Sequence, residues 1–228
     1  MKKKHKIKSL IFIGIALLIF SLCVWQRENL KALYIYLTND KEALSMQIEE
    51  NKNDLEQNLQ KYSPSITRDF TLEEEEKIKS GELSVDDAMA EITKKSEGSG
   101  TKKGNSANLN KYKGKEDEII GRYVAKLYSL KAFYIGQLGQ VESKAKSEYA
   151  SLSAAEKKNL TKASFIAKYA GYALKLMGEC DSQVNGILSE LETELSRVGG
   201  DLSVINVIRK SYENEKALRK AYYIDMLS

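Results

Sequence analysis

Proline occurs once in 228 residues, histidine and tryptophan once each, and cysteine twice. A single proline argues against an all-β fold, which needs many punctuated chain reversals. The one histidine, His5, sits at the N-terminal tip. No Ser-His-Asp or Cys-His constellation can therefore be drawn from the residues that follow. Cys23 lies in an apolar run, which leaves Cys180 alone in the remainder. A zinc site of His and Cys is excluded there, and so is an internal disulfide, and the core must hold without staples. Gly-rich phosphate loops of the standard forms are missing, as is the alternating acidic loop that binds calcium. Neither a cofactor nor a metal is expected.

Charge of one sign is also scarce, once its position is considered. The net charge of +4 comes from Lys2, Lys3, Lys4, Lys6 and Lys8; the other 31 basic residues face 32 acidic ones, a net of −1. A basic total usually raises nucleic acid as a partner, but here the excess is a terminal tag and no nucleic acid is expected. Residues 9–25 follow with no charge at all, from Ser9 to Trp25. As a helix they would span about 26 Å, the short end of what crosses a bilayer. The lysines before this run orient such a span with its N-terminus in the cytosol and residues 26–228 on the far side. A cleaved signal peptide is the rival, but the run is long for one and lacks a small-x-small site beyond it. The expectation is an uncleaved anchor that contacts membrane lipid through residues 9–25.

Between residues 28 and 62, spacings of four and three connect Leu30, Tyr34, Leu37, Lys41, Leu44, Ile48, Asn51, Leu55, Asn58 and Tyr62. This is an imperfect heptad, and it predicts a coiled coil over 26–62 that ends before Pro64. Leu30, Leu37, Leu44, Ile48 and Leu55 form its candidate association seam, for self-pairing or for another membrane-anchored protein. The alternative is a helix that packs on the rest of its own chain.

Thr71-Leu72-Glu73-Glu74 has the form of a capping box, Gly81 interrupts, and Ser84 starts a second helix. Residues 63–95 are thus a short acidic helical pair, with Glu73–Glu76, Asp86 and Asp87 on a solvated face. Residues 96–115 hold one leucine and one tyrosine, the composition of a flexible linker.

Residues 116–228 carry the longest stripes. Ile120, Tyr123, Leu127, Leu130, Tyr134, Leu138 and Val141 recur at helical spacing. Ser153-x-x-Glu156 restarts helix, and Ile166, Ala170, Ala173, Met177, Cys180, Val184, Ile187, Leu191 and Val198 continue it, with Leu195 beside them. Cys180 is expected in the core, unreactive between Glu179 and Asp181. Gly199-Gly200 stops that helix, and Asp201 caps a last one carrying Ile205, Ile208, Tyr212, Tyr222 and Met226. Short connections predict an antiparallel three-helix bundle. Gly136, Gly139, Gly171, Gly178 and Gly186 interrupt helical pattern, which close helix contact explains better than a binding groove.

The fold class is therefore all-α: an N-terminal transmembrane helix (9–25) behind a basic tip (1–8), a coiled coil, two short helices, a linker and a bundle. The expected role is a single-pass, extracytoplasmic scaffold or assembly and regulatory protein of the cell envelope, working through protein–protein contacts. Small bitopic division and envelope-assembly proteins of bacteria have a similar layout, without a shared motif. A stalked module that binds cell wall or another ligand is the alternative, because ten of thirteen tyrosines lie at or beyond Tyr112. An all-α wall hydrolase ranks lower, since glutamates abound but tryptophan and loops for a sugar cleft do not.

Overall fold

A computed structural model describes residues 27–64, 66–96, 109–160 and 162–227. Among them every regular element is a helix, with no strand. The helices are α1 (Arg27–Thr38), α2 (Lys41–Leu59), α3 (Leu72–Ser80), α4 (Val85–Ser96), α5 (Leu109–Ser151), α6 (Ala154–Asn159), α7 (Lys162–Val198) and α8 (Ser203–Leu227). No helix of the described residues is long and apolar enough to cross a membrane. The expected anchor at 9–25 lies outside the described residues, as does most of the expected linker. The chain divides into two compact units, Met1–Glu50 with Tyr212–Ser228, and Asn51–Ser211.

In the first unit the expected continuous coiled coil is two helices. Asn39 ends α1 by donating from Nδ2 to the Ile35 carbonyl at 2.8 Å. Asp40 starts α2 by accepting from the Ala43 amide at 2.8 Å, an N-cap that satisfies an orphan donor. Gln47 donates to Asn39 Oδ1 at 2.7 Å and fixes the turn. Across the unit, Lys31 bonds Asn214 at 2.7 Å and the Lys41 ammonium lies 5.4 Å from the Tyr222 ring centre. Ala32, Leu44, Ile48, Ala217, Leu218 and Ala221 are its buried apolar residues. The start of α2 thus packs within its own chain.

The second unit is a helical bundle built on α5. Arg122 and Lys126 pair with Glu194 and Glu190, Tyr134 meets Gln183, and Glu148 meets Lys168. Positions that advance along α5 retreat along α7, so the two form a long antiparallel hairpin. The stripe foreseen on α5 is buried at Ile120, Tyr123 and Tyr134 and half-buried at Leu127, Leu130, Leu138 and Val141. Tyr123 donates to Glu194 at 2.8 Å, and burial, aided by that carboxylate, pushes its hydroxyl up to about 12.

A second stripe on α5, Val124, Tyr128, Ala132 and Ile135, is buried as well. Both α3 and α4 pack on α5. Residues 66–95 are therefore packed on the long helix rather than set apart from it. Phe70 meets Tyr128 edge-on at 6.3 Å. Lys52 reaches the Phe70 carbonyl at 3.0 Å and Glu75 at 2.9 Å, while Lys131 holds Asp69 at 2.7 Å and Glu75 at 3.2 Å. Lys52, Asp69 and Glu75 are all buried, which is tolerable because opposite charges meet there.

The end of α2 joins the same bundle. Asn51 donates to the Ser211 carbonyl at 3.1 Å, and Tyr62 bonds Ser203 at 2.9 Å. On α7, Val184, Leu188, Leu191 and Leu195 are buried, but Ala170, Ala173, Met177 and Cys180 are only half-buried. Cys180 is thus not a core residue. The reason is geometric: the far half of the hairpin has α7 facing α5, with one side left to solvent.

Candidate functional site: the hairpin end and the α1 face

Leu37, Leu44 and Ile48, the seam residues described in the first unit, do not share a surface. Leu37 is 71 % exposed, whereas Leu44 and Ile48 are buried and Leu55 is half-buried. The Leu30 side chain lies outside the described residues. The break at Asn39-Asp40 ends the common stripe. Of the polar positions that interrupted the heptad, Lys41 faces Tyr222, Asn51 bonds Ser211, and Asn58 bonds its own helix at Asp54. What remains open in this unit is a face of α1: Leu33 at 44 %, Tyr34 at 69 % and Leu37 at 71 % exposure. Met46 of α2 is exposed too.

Among the described residues a second group of exposed apolar side chains lies at the end of the α5–α7 hairpin. Two capping residues shape it. Ser153 accepts from the Glu156 amide at 3.3 Å while Glu156 takes the Ser153 amide at 2.8 Å, so α6 restarts as the sequence foretold. Four rings then form a row: Tyr149 to Phe165 at 5.7 Å, Phe165 to Tyr169 at 5.1 Å, and Tyr169 to Tyr172 at 6.0 Å. Lys157 lies 5.3 Å from the Tyr149 ring centre, Lys168 5.4 Å from Tyr169, and Lys144 6.0 Å from Tyr172. These contacts place cations at both ends of the row and at its middle.

Glu148 is the pin of this end. It receives Lys168 at 2.7 Å and the Tyr169 hydroxyl at 2.6 Å. Lys168, and then Tyr169, hold its carboxyl below the usual range, and in return the Lys168 ammonium and the Tyr169 hydroxyl are raised. Tyr169 is buried by the arrangement, while Tyr149 and Tyr172 are about half exposed and Leu174 more so.

Beside the row is an open groove of about 610 Å³ between the end of α3 and α5, lined by Ser143, Ser147, Ser151 and Gln140. Its floor explains Gly139 but not Gly136. A Cβ at Gly139 would lie 1.9 Å from the Lys79 carbonyl oxygen, and one at Gly136 would lie 4.0 Å from that of Ile78. Gly139 is thus a close backbone approach, as expected for a helix contact, although its partner is α3. At Gly171, Gly178 and Gly186 a Cβ would meet nothing within 4 Å, so packing does not account for them.

The excess of tyrosine at and beyond Tyr112 is legible in the sequence, but the row that Tyr149, Phe165, Tyr169 and Tyr172 form and the lysines among them are not. One signal was available: residues 142–175 hold seven lysines against three glutamates. Among the described residues no group of three His, Cys, Asp or Glu side chains is placed to hold a metal. No known protein family matches this chain, and neither does any curated protein or any solved structure.

Proposed function

We propose that this protein is a membrane-anchored helical scaffold of the cell envelope, held by residues 9–25 and acting outside the cytoplasm through protein–protein contacts. The observation that carries the reading is the open face of α1. Tyr34 and Leu37, two positions of the foreseen heptad, remain exposed 9 and 12 residues after the apolar run's end at Trp25. Its occupant is a second copy of the chain. A shared anchor holds two such faces at the same height, and tethering raises their effective concentration. Leu33 adds apolar area to the same helix. Leu44 and Ile48 are no part of this surface, because the chain already buries them.

The test is cysteine cross-linking in native membranes, in a background without Cys23 and Cys180. Single cysteines at 34 and 37 should give the 51 kDa-class dimer, about twice the 25.7 kDa chain, while cysteines at the exposed Glu42 and Glu50 should not. Cross-links from 34 and 37 to a different protein would replace the second copy with that partner. Equal, weak products at every position would remove the scaffold reading. A wall-binding module is less well supported: the ring planes at the hairpin end are inclined to one another by 64°, 51° and 56°, and they offer a sugar chain no common platform.

A further inference from the structure

We propose that the end of the α5–α7 hairpin docks on the surface of an anionic phospholipid bilayer. This is a second membrane contact, separate from residues 9–25, and it does not depend on the α1 face. The argument begins with charge. Between residues 142 and 175 there are seven lysines, three glutamates and no aspartate or arginine. The three carboxylates are already engaged. Glu142 holds Lys79 at 3.0 Å and Lys146 at 2.6 Å, Glu148 holds Lys168, and Glu156 caps α6. Lys144 and Lys157 lie over ring faces, and Lys158 is exposed. Lys175 meets Glu179 at 3.8 Å, and the described cations that remain without a carboxylate partner in this group, Lys144, Lys157 and Lys158, give the hairpin end its positive excess.

Charge alone would suit any polyanion; the apolar groups narrow the choice. Tyr149, Tyr172 and Leu174 stand about half exposed among the lysines, and Phe165 and Tyr169 connect the two tyrosines. A soluble polyanion gives these side chains nowhere to go. Nucleic-acid bases and sugars stack on open ring faces, but here the rings are tilted and lysines lie over three of the faces. The headgroup layer takes both kinds of group without demanding coplanar rings. Tyrosine sits there with its ring toward the acyl chains and its hydroxyl wet, while lysine stems lie along apolar surface and their heads meet lipid phosphate. The reach is large as well, since α5 has 43 residues and is about 64 Å long.

The experiment uses the full chain in nanodiscs of neutral phosphatidylcholine, fixed to beads by a C-terminal tag. Fluorescent vesicles are then offered, either of phosphatidylcholine alone or with about a third phosphatidylglycerol. Incorporation into discs is checked first, and a chain that stays outside them is offered the vesicles directly. Capture of anionic vesicles should exceed that of neutral ones at least tenfold and should weaken as salt rises. Lys157→Glu with Lys158→Glu should lower it at least tenfold, and Tyr149→Ser with Tyr172→Ser severalfold. Lys61→Glu with Lys210→Glu makes the same change in net charge away from the hairpin end and should leave capture unchanged. The hairpin-end variants keep the lysines at 2–8, which attract the same lipid, so capture that came from those lysines would survive in them. Equal capture of neutral vesicles, loss of capture in the control pair, or wild-type capture by the hairpin-end variants would each overturn the proposal. No capture of either vesicle would overturn it too and leave the ring row as a contact for protein.

Discussion

Gly139→Ala and Gly186→Ala, chemically the same change in two long helices, should move stability in opposite directions. Replacing glycine by alanine in a helix interior normally gains about 1 kcal/mol, because alanine loses less backbone freedom on folding. Gly186 should realise most of that gain, since its Cβ would meet nothing within 4 Å. At Gly139 the new carbon would sit 1.9 Å from the Lys79 carbonyl oxygen and 2.8 Å from the carbonyl carbon. Both are backbone atoms, so no side chain can rotate aside. The end of α3 must retreat roughly 1.5 Å before the contact is ordinary. That end is anchored by buried Ile78, by Glu75 between Lys52 and Lys131, and by Lys79 on Glu142. Overpacking of this kind costs about 1–3 kcal/mol and occasionally more, which exceeds the propensity gain. The propensity gain is common to both, so the two variants should differ by the overpacking cost, about 1–3 kcal/mol. For a chain of this size each kcal/mol is worth about 2–4 °C in Tm. Thermal and urea unfolding of the full chain, followed by circular dichroism, measures both. A Gly139→Ala protein as stable as Gly186→Ala would refute the close approach of α3 to α5.

Lys131→Met takes a cation from the two buried carboxylates Asp69 and Glu75, and urea unfolding should show a loss of about 3–5 kcal/mol. Adding Asp69→Asn should recover part of it, and a cycle without coupling would count against the network. Glu74 is held at about 2, first by its hydrogen bond to Arg68, so its folded value lies below its unfolded one near 4.5. Its stabilisation is present above about pH 4.5 and is lost as pH falls toward 2; Glu74→Gln should flatten the melting-temperature profile across that window, and an unchanged profile would contradict the assignment. Leu44→Asp with Ile48→Asp would put two charges into the core of the first unit, so proteolysis should open residues 27–50 and 212–227. Cleavage no faster than in the wild type would mean that those positions are not buried.

Where helices begin and end was written locally and could be read from the chain. Thr71 with Glu74 and Ser153 with Glu156 form the foreseen capping boxes, and Gly81 and Gly199 take positive φ at helix ends. Asp201 accepts from the Ser203 amide as a cap should. Asn39-Asp40 used the same local chemistry and was passed over, because a heptad of four and three ran through it unbroken. Such devices act within three or four residues, so sequence alone decides them. Sequence likewise determined the helical class, the charge excess at the N-terminal tip and the lack of catalytic histidine beyond it. Which face of each helix meets which neighbour was decided only in three dimensions. An apolar stripe states that something will cover it, not what does: Leu44 and Ile48 are covered by their own unit, while Leu37, on the same heptad, stays open. Tyr128, on a second stripe of α5, meets Phe70, which lies far from it in sequence. Lys52 and Glu75 look like surface residues until opposite charges far apart in sequence bring them inside. Burial is a property of pairs, and the partners here are tens of residues distant, beyond the range of any periodicity.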